Sequence, residues 1–178
     1  MDAAIKSRRL RLLLGHYLAA RGAKRLPSRS DIDAVELAPV LPIIWISQFE
    51  DSAGTFRYRL AGEDVNDIWG MSVAGCLLSD FVAPDRFEAT NAAFLRVLQQ
   101  EAALIASGPV YRCADRIALG ERLVLPLSSD GVTADGLIGA TARDQLVDFE
   151  KASMSQQIST YISVDELESI PVDRAVGD

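Results

Sequence analysis

The side chains best suited to chemistry in this sequence are few and scattered. His16 is the only histidine, and Cys76 and Cys113 are the only cysteines. An axial haem ligand must stand inside a pocket, whereas His16 falls in a leading segment ahead of the body of the chain. Ser-His-Asp and Cys-His catalysis need a base beside the nucleophile, and one remote histidine does not supply it. His16, Cys76 and Cys113 lack the spacing of a zinc site. The runs Gly-x-Gly-x-x-Gly and Gly-x-x-x-x-Gly-Lys, which cradle phosphates, are missing. Carboxylates are numerous, but no pair stands apart from the solvated background. The sequence therefore assigns no catalytic residue, no metal ligand and no cofactor. Both cysteines read as small buried hydrophobes.

A binding pocket is the remaining option. Trp45, Tyr58, Trp69, Phe94 and Tyr111 can line a site for a flat or apolar ligand, with Asn66 or Arg112 as its convergent polar groups. The same rings can simply fill a core, and both readings stay open here.

Rings so far apart in sequence converge only on a scaffold, whose local signals are clear. Leu10, Leu13, Leu14, Tyr17 and Leu18 follow helical spacing and predict an amphipathic helix from about Ala4 to Arg21, stopped at Gly22. Gly15 inside it costs roughly 1 kcal/mol relative to Ala, so this helix needs something to pack against. Ser30 and Asp33 have the spacing of a capping box and predict a short helix to about Pro39. A charged site from Arg29, Asp31 and Asp33 is the other reading. Strands are expected at 43–49 and 55–61, around a turn at Asp51–Gly54. In the second, Phe56, Tyr58 and Leu60 alternate with Arg57 and Arg59. A short helix at Glu63–Trp69, ended by Gly70, precedes an irregular stretch and a long helix from Pro84 to about Glu101. Phe87, Phe94, Leu95 and Leu98 favour one side of it. Three more strands are expected: Ser107–Ile117, a tight turn at Ala118–Gly120, Glu121–Ser128, an Asp130-Gly131 hairpin cue, and Ala134–Ala142. Leu123, Val124, Leu125 and Leu127 leave little polar surface, so both sheet faces must be covered.

Composition bounds the rest. The chain has 178 residues, 49% apolar and 24% charged, with a net charge of −7. Its first 30 residues carry +7, leaving −14 for the remainder. That acidic body argues against nucleic-acid binding, which needs a basic face. The basic start imitates a signal peptide until Gly15, His16 and Arg21 interrupt the apolar run, and no stretch reaches the ~20 apolar residues of a membrane span. Cysteine use points to a reducing cytoplasm. Residues 144–178 hold eight acids against Lys151 and Arg174 and are expected to form a docked helix or an interaction tail.

The order of elements, with Leu26-Pro-Ser-Arg-Ser-Asp-Ile-Asp33, Phe56-Arg-Tyr-Arg-Leu-Ala-Gly62, Gly70 with Ala74-Gly75, and Leu125-Pro-Leu-Ser-Ser-Asp-Gly131, resembles the bacterial PAS-like domains. These are common in alphaproteobacteria and often stand alone as short proteins. The resemblance covers roughly residues 26–142, and Ala34 stands where members more often have Pro. It implies an α+β fold with a five-stranded antiparallel sheet and helices over one face, preceded here by the amino-terminal helix. It also implies a sensory or interaction role without catalysis. Cys76 lies in Ala74-Gly75-Cys76-Leu77, not in the Asn-Cys-Arg pattern of flavin-binding light sensors. The chain thus divides into an amino-terminal helix (1–25), a PAS-like domain (26–143) and an acidic extension (144–178). The expected function is a non-enzymatic regulatory module acting through another signalling protein and through homodimerisation, with Leu10, Leu13, Leu14, Tyr17 and Leu18 at the interface. The alternative is a small-molecule sensor whose pocket lies between the inner sheet face and the long helix.

Overall fold

Eight strand and helix signals from the sequence reappear as elements of one sheet and its two covering layers. The computed structural model describes residues 5–113, 116–148 and 156–173. The strands are β1 (Ile44–Glu50), β2 (Thr55–Ala61), β3 (Ala102–Cys113), β4 (Arg116–Ser128), β5 (Ala134–Asp148) and β6 (Ile158–Ser163). The helices are α1 (Arg8–Arg21), α2 (Glu63–Trp69), α3 (Leu78–Phe81) and α4 (Pro84–Gln100). All strand pairs are antiparallel, in the order β2-β1-β5-β4-β3-β6. The expected fold class holds, with six strands rather than five.

The central strands carry apolar residues on both faces. In β4, Leu123, Leu125 and Leu127 join one buried cluster and Val124 the other. Helices α2, α3 and α4 cover the inner face. The outer face is covered by α1, whose Leu10, Leu13, Leu14 and Tyr17 are 0% exposed and pack with Ile44, Ile46, Leu123, Leu125, Ile138 and Ala140. Leu18 is half-buried on the same cluster. These five residues, expected at a dimer interface, therefore face the chain's own sheet. The apolar stripe finds cover within one molecule. The Tyr17 hydroxyl donates to the Pro126 carbonyl at 2.7 Å, and burial pushes its pKa well above the ordinary phenol value.

The acidic carboxy-terminal segment is neither a docked helix nor a loose tail over its described length. It pairs β6 with β3, then sends Val164, Leu167 and Ile170 into the outer cluster. Arg21 fastens it to α1, donating to the Val164 carbonyl and to Glu168, both at 2.6 Å. Arg11 reaches Asp173 at 2.9 Å. Gly15 is where this strap crosses the helix, since a Cβ there would lie 2.4 Å from the Asp173 carbonyl oxygen.

Other departures from expectation have local causes. Helix α1 begins at Arg8 because the Lys6 and Ser7 amides are donated to the Glu121 carboxylate, Ser7 at 2.7 Å, rather than starting the helix earlier. The cap expected at Ser30 and Asp33 forms two residues earlier: Asp31 accepts from the Ser28 amide at 2.7 Å and from its hydroxyl at 2.9 Å. Lys24 also pairs with Asp31, and these contacts hold its carboxyl at about 2. Only a 3-10 turn, Arg29–Asp31, follows, with turns instead of a helix to Pro39. Leu60 packs on the outer cluster, not beside Phe56 and Tyr58, because a register shift opposite Ile46 and Ser47 turns the strand over. Residues 118–120 do not turn; they lie within β4 and pair with Tyr111, Pro109 and Gly108 of β3.

Replacing Gly15 by Ala improves the intrinsic propensity of α1 by roughly 1 kcal/mol yet pushes the strap off the helix. Limited proteolysis and hydrogen exchange should therefore show residues 164–173 opening more readily in Gly15→Ala. Unchanged protection there would refute the close-packing role.

Candidate functional site

Six aromatic rings, each from a different element, meet over the inner face of the sheet. Trp45 comes from β1, Tyr58 from β2, Trp69 from α2, Phe81 from α3, Phe94 from α4 and Tyr111 from β3. Trp45 stacks on Tyr58 with ring centroids 5.2 Å apart and touches Phe94 at 5.1 Å. Tyr58 meets Phe81 edge-on at 5.0 Å, Phe81 meets Trp69 at 5.1 Å, and Trp69 meets Tyr111 at 5.9 Å. These are the offset and edge-to-face arrangements that ring quadrupoles favour. The rings do not close on one another. They wall a cavity of about 500 Å³, completed by α4 through Thr90 and Ala93 and by β6 through Ser159.

Strand geometry places the walls. Trp45 pairs with Gly139 of β5, and its indole lies over that residue: a Cβ on Gly139 would sit 2.2 Å from the ring. The missing side chain is what lets Trp45 lie flat against the sheet instead of swinging into the cavity. Tyr58 is held by the loop after α2, with its amide donating to Cys76 at 2.9 Å and its carbonyl accepting from Gly75 at 2.8 Å. Asn66 organises that loop rather than the cavity. Its side-chain oxygen accepts from the Val73 amide at 3.0 Å, and it does not line the site. Expected as a ligand contact, Asn66 is instead engaged by the turn following α2.

The polar end of the cavity is built on an irregular strand. Between Pro109 and Tyr111 the β3–β4 register shifts, and Pro109 offers no amide to the ladder. The bulge aims the Val110 carbonyl at Arg122 of β4, which donates to it and also to Thr141 Oγ1 at 3.0 Å. The guanidinium then lies 4.7 Å from the Tyr111 ring centroid, a cation–π contact. Burial pushes the Tyr58 hydroxyl far above the ordinary phenol pKa; Tyr111 adds to the rise and the Arg122 charge opposes it. Arg86 and Arg112 are exposed and line the cavity mouth.

Six of the seven residues expected at a ligand site thus line one cavity: Trp45, Tyr58, Trp69, Phe94, Tyr111 and Arg112. Arg122, Arg86, Phe81 and Thr90 were not anticipated. Arg122 had a signal in sequence, a lone cation at the head of an apolar strand covered on both faces. Cys76, expected buried, is half-exposed, and its thiol lies 3.8 Å from the Ser72 carbonyl. The Cys113 side chain lies outside the described part. His16 sits on the outer layer, accepting from the Asp33 amide at 3.1 Å and lying 2.9 Å from Glu36.

A PAS domain family model matches residues 5–142. The chain belongs to the PAS domain family. The match includes α1, so the helix over the outer face lies within the PAS domain's matched span. No curated protein matches this PAS domain. Among solved structures, "VqmA bound to DPO" aligns with a TM-score of 0.46 and 13% identity, over 63% of this chain. The alignment spans 56%, little more than half, of that structure's chain. Among the described residues of the PAS domain and its extension, no helix is long and apolar enough to cross a membrane.

Gly139→Ala should drive the Trp45 indole toward the cavity. We expect a loss of about 1–3 kcal/mol in urea unfolding, as for other overpacked cores, with altered tryptophan emission. A variant as stable as wild type with unchanged emission would refute the contact.

Proposed function

We propose that this PAS domain is a non-enzymatic sensory module whose input is a small molecule held between the inner sheet face and α4. The single observation that carries this reading is the aromatic cavity of about 500 Å³, the size and lining typical of small-molecule sites. A domain core packed for stability alone leaves few voids larger than a water molecule. The described lining holds no His, Cys, Asp or Glu, so no nucleophile–base pair faces the ligand space. That supports recognition rather than bond-making.

The sheet offers a mechanical route for the signal. Trp45 faces the cavity while its neighbours Ile44 and Ile46 contact the α1 layer; Val124 sits likewise between Leu123 and Leu125. Ligand-induced shifts of these strands act on both layers at once. The output we propose is protein contact in the cytoplasm, with a second copy or another signalling protein. Because Leu10, Leu13, Leu14 and Tyr17 are buried, that contact uses other surfaces while α1 is docked.

Two measurements test the reading. Native mass spectrometry of gently purified protein should show a co-purifying small mass. Naphthalene-2-carboxamide, a neutral planar probe, at 100 times its Kd should stabilise the chain by about 2.7 kcal/mol. Ala93→Trp, which fills the cavity, should remove that stabilisation. A clean apo spectrum together with no stabilisation by the probe would sink the proposal.

A further inference from the structure

We propose that the cavity is selective for a planar aromatic carboxylate, with the ring among the aromatic walls and the anion on Arg122. This rests on the reading of the cavity as a ligand site and specifies what that site takes.

Charge distribution is the first argument. The chain is acidic overall, at −7, yet the described cavity lining contains Arg86, Arg112 and Arg122 and no acidic residue. Elsewhere the fold pairs its arginines with carboxylates: Arg11 with Asp173, Arg21 with Glu168, Arg25 with Glu101 and Arg57 with Glu50. Arg122 is treated differently. Its Nε and one terminal nitrogen go to neutral acceptors, Thr141 Oγ1 and the Val110 carbonyl. Its other terminal nitrogen has no partner among the described residues.

A half-buried cation beside apolar walls carries a desolvation cost that neutral acceptors only partly offset. An anion delivered by a ligand offsets the remainder, and a guanidinium matches a carboxylate in geometry as well as charge. The two fixed bonds hold the Arg122 fork in place before binding, which spares the ligand the cost of ordering it. Tyr58 lines the same cavity as Arg122 and carries a hydroxyl able to donate. A planar ring is favoured because stacked and edge-on aromatic faces surround the space.

Matched probes separate this claim from the one beneath it. Isothermal titration of the full chain should find naphthalene-2-carboxylate binding at least tenfold tighter than naphthalene-2-carboxamide, with (naphthalen-2-yl)methylammonium weaker than both. Arg122→Met should bring the carboxylate down to the affinity of the amide while moving the amide less than threefold. Arg122→Lys, which retains the charge but not the fork, should keep part of the preference, guarding against a variant that misfolds at the bulge. Equal binding of carboxylate and amide to the wild-type chain overturns the anion claim and leaves the ligand pocket standing. Failure of all three probes to bind overturns both.

Discussion

A sheet that is apolar on both faces is the constraint from which the rest of this molecule follows. Strands β4 and β5 run through the middle of the sheet, and alternate residues along them enter separate buried clusters. Neither face can be left to water, so each requires its own layer. At roughly 25 cal/mol per Å² of apolar surface removed from water, leaving one face bare would forfeit more than the few kcal/mol of net stability that a domain usually has.

The two layers solve this problem in different ways. The outer layer is tightly filled and fastened: α1 lies against the sheet, the carboxy-terminal strap crosses at Gly15, and Arg21 bonds the strap while Glu121 receives the amides that precede the helix. The inner layer is held by α2, α3 and α4 with large rings, and large rings bridge space without filling it. A void remains, with one arginine fixed at its edge by a strand bulge. Coverage of the outer face by the chain itself also explains why an apolar helical stripe need not signal self-association. Such a stripe shows that a cover is required, and the covering surface can belong to the same molecule.

Legibility in the sequence followed how local each determinant was. Helix α4 and strand β2 stood out because Phe94 and Leu98, or Phe56 and Tyr58, repeat at the period of their own element. The Asp130-Gly131 turn was equally plain: Asp130 accepts from the Val132 and Thr133 amides, and Gly131 takes a positive φ of 78°. The inward alternation failed at Leu60 because the register shift that turns it outward is a property of two paired strands. Residues 118–120 looked like a turn because Gly120 is a breaker in isolation, yet pairing on both sides held them extended. Strand β6 was hidden since an exposed edge strand needs no alternating apolar pattern, and Ile158 is indeed exposed.

Periodicity and turn signals by themselves determined most of the elements, the need for cover on both faces, and most of the rings that now wall the cavity, while the resemblance to PAS-like domains implied how the elements assemble. They act through neighbours a few residues apart, so one strand of text contains them. Only the tertiary structure decided that α1 is the outer cover, that Asn66 serves a turn, that Arg122 lies against Tyr111, and that space is left between the rings. Those outcomes depend on distances between segments many tens of residues apart, set by register shifts and by the bulk missing at Gly139 and Gly15, and no local pattern encodes such distances.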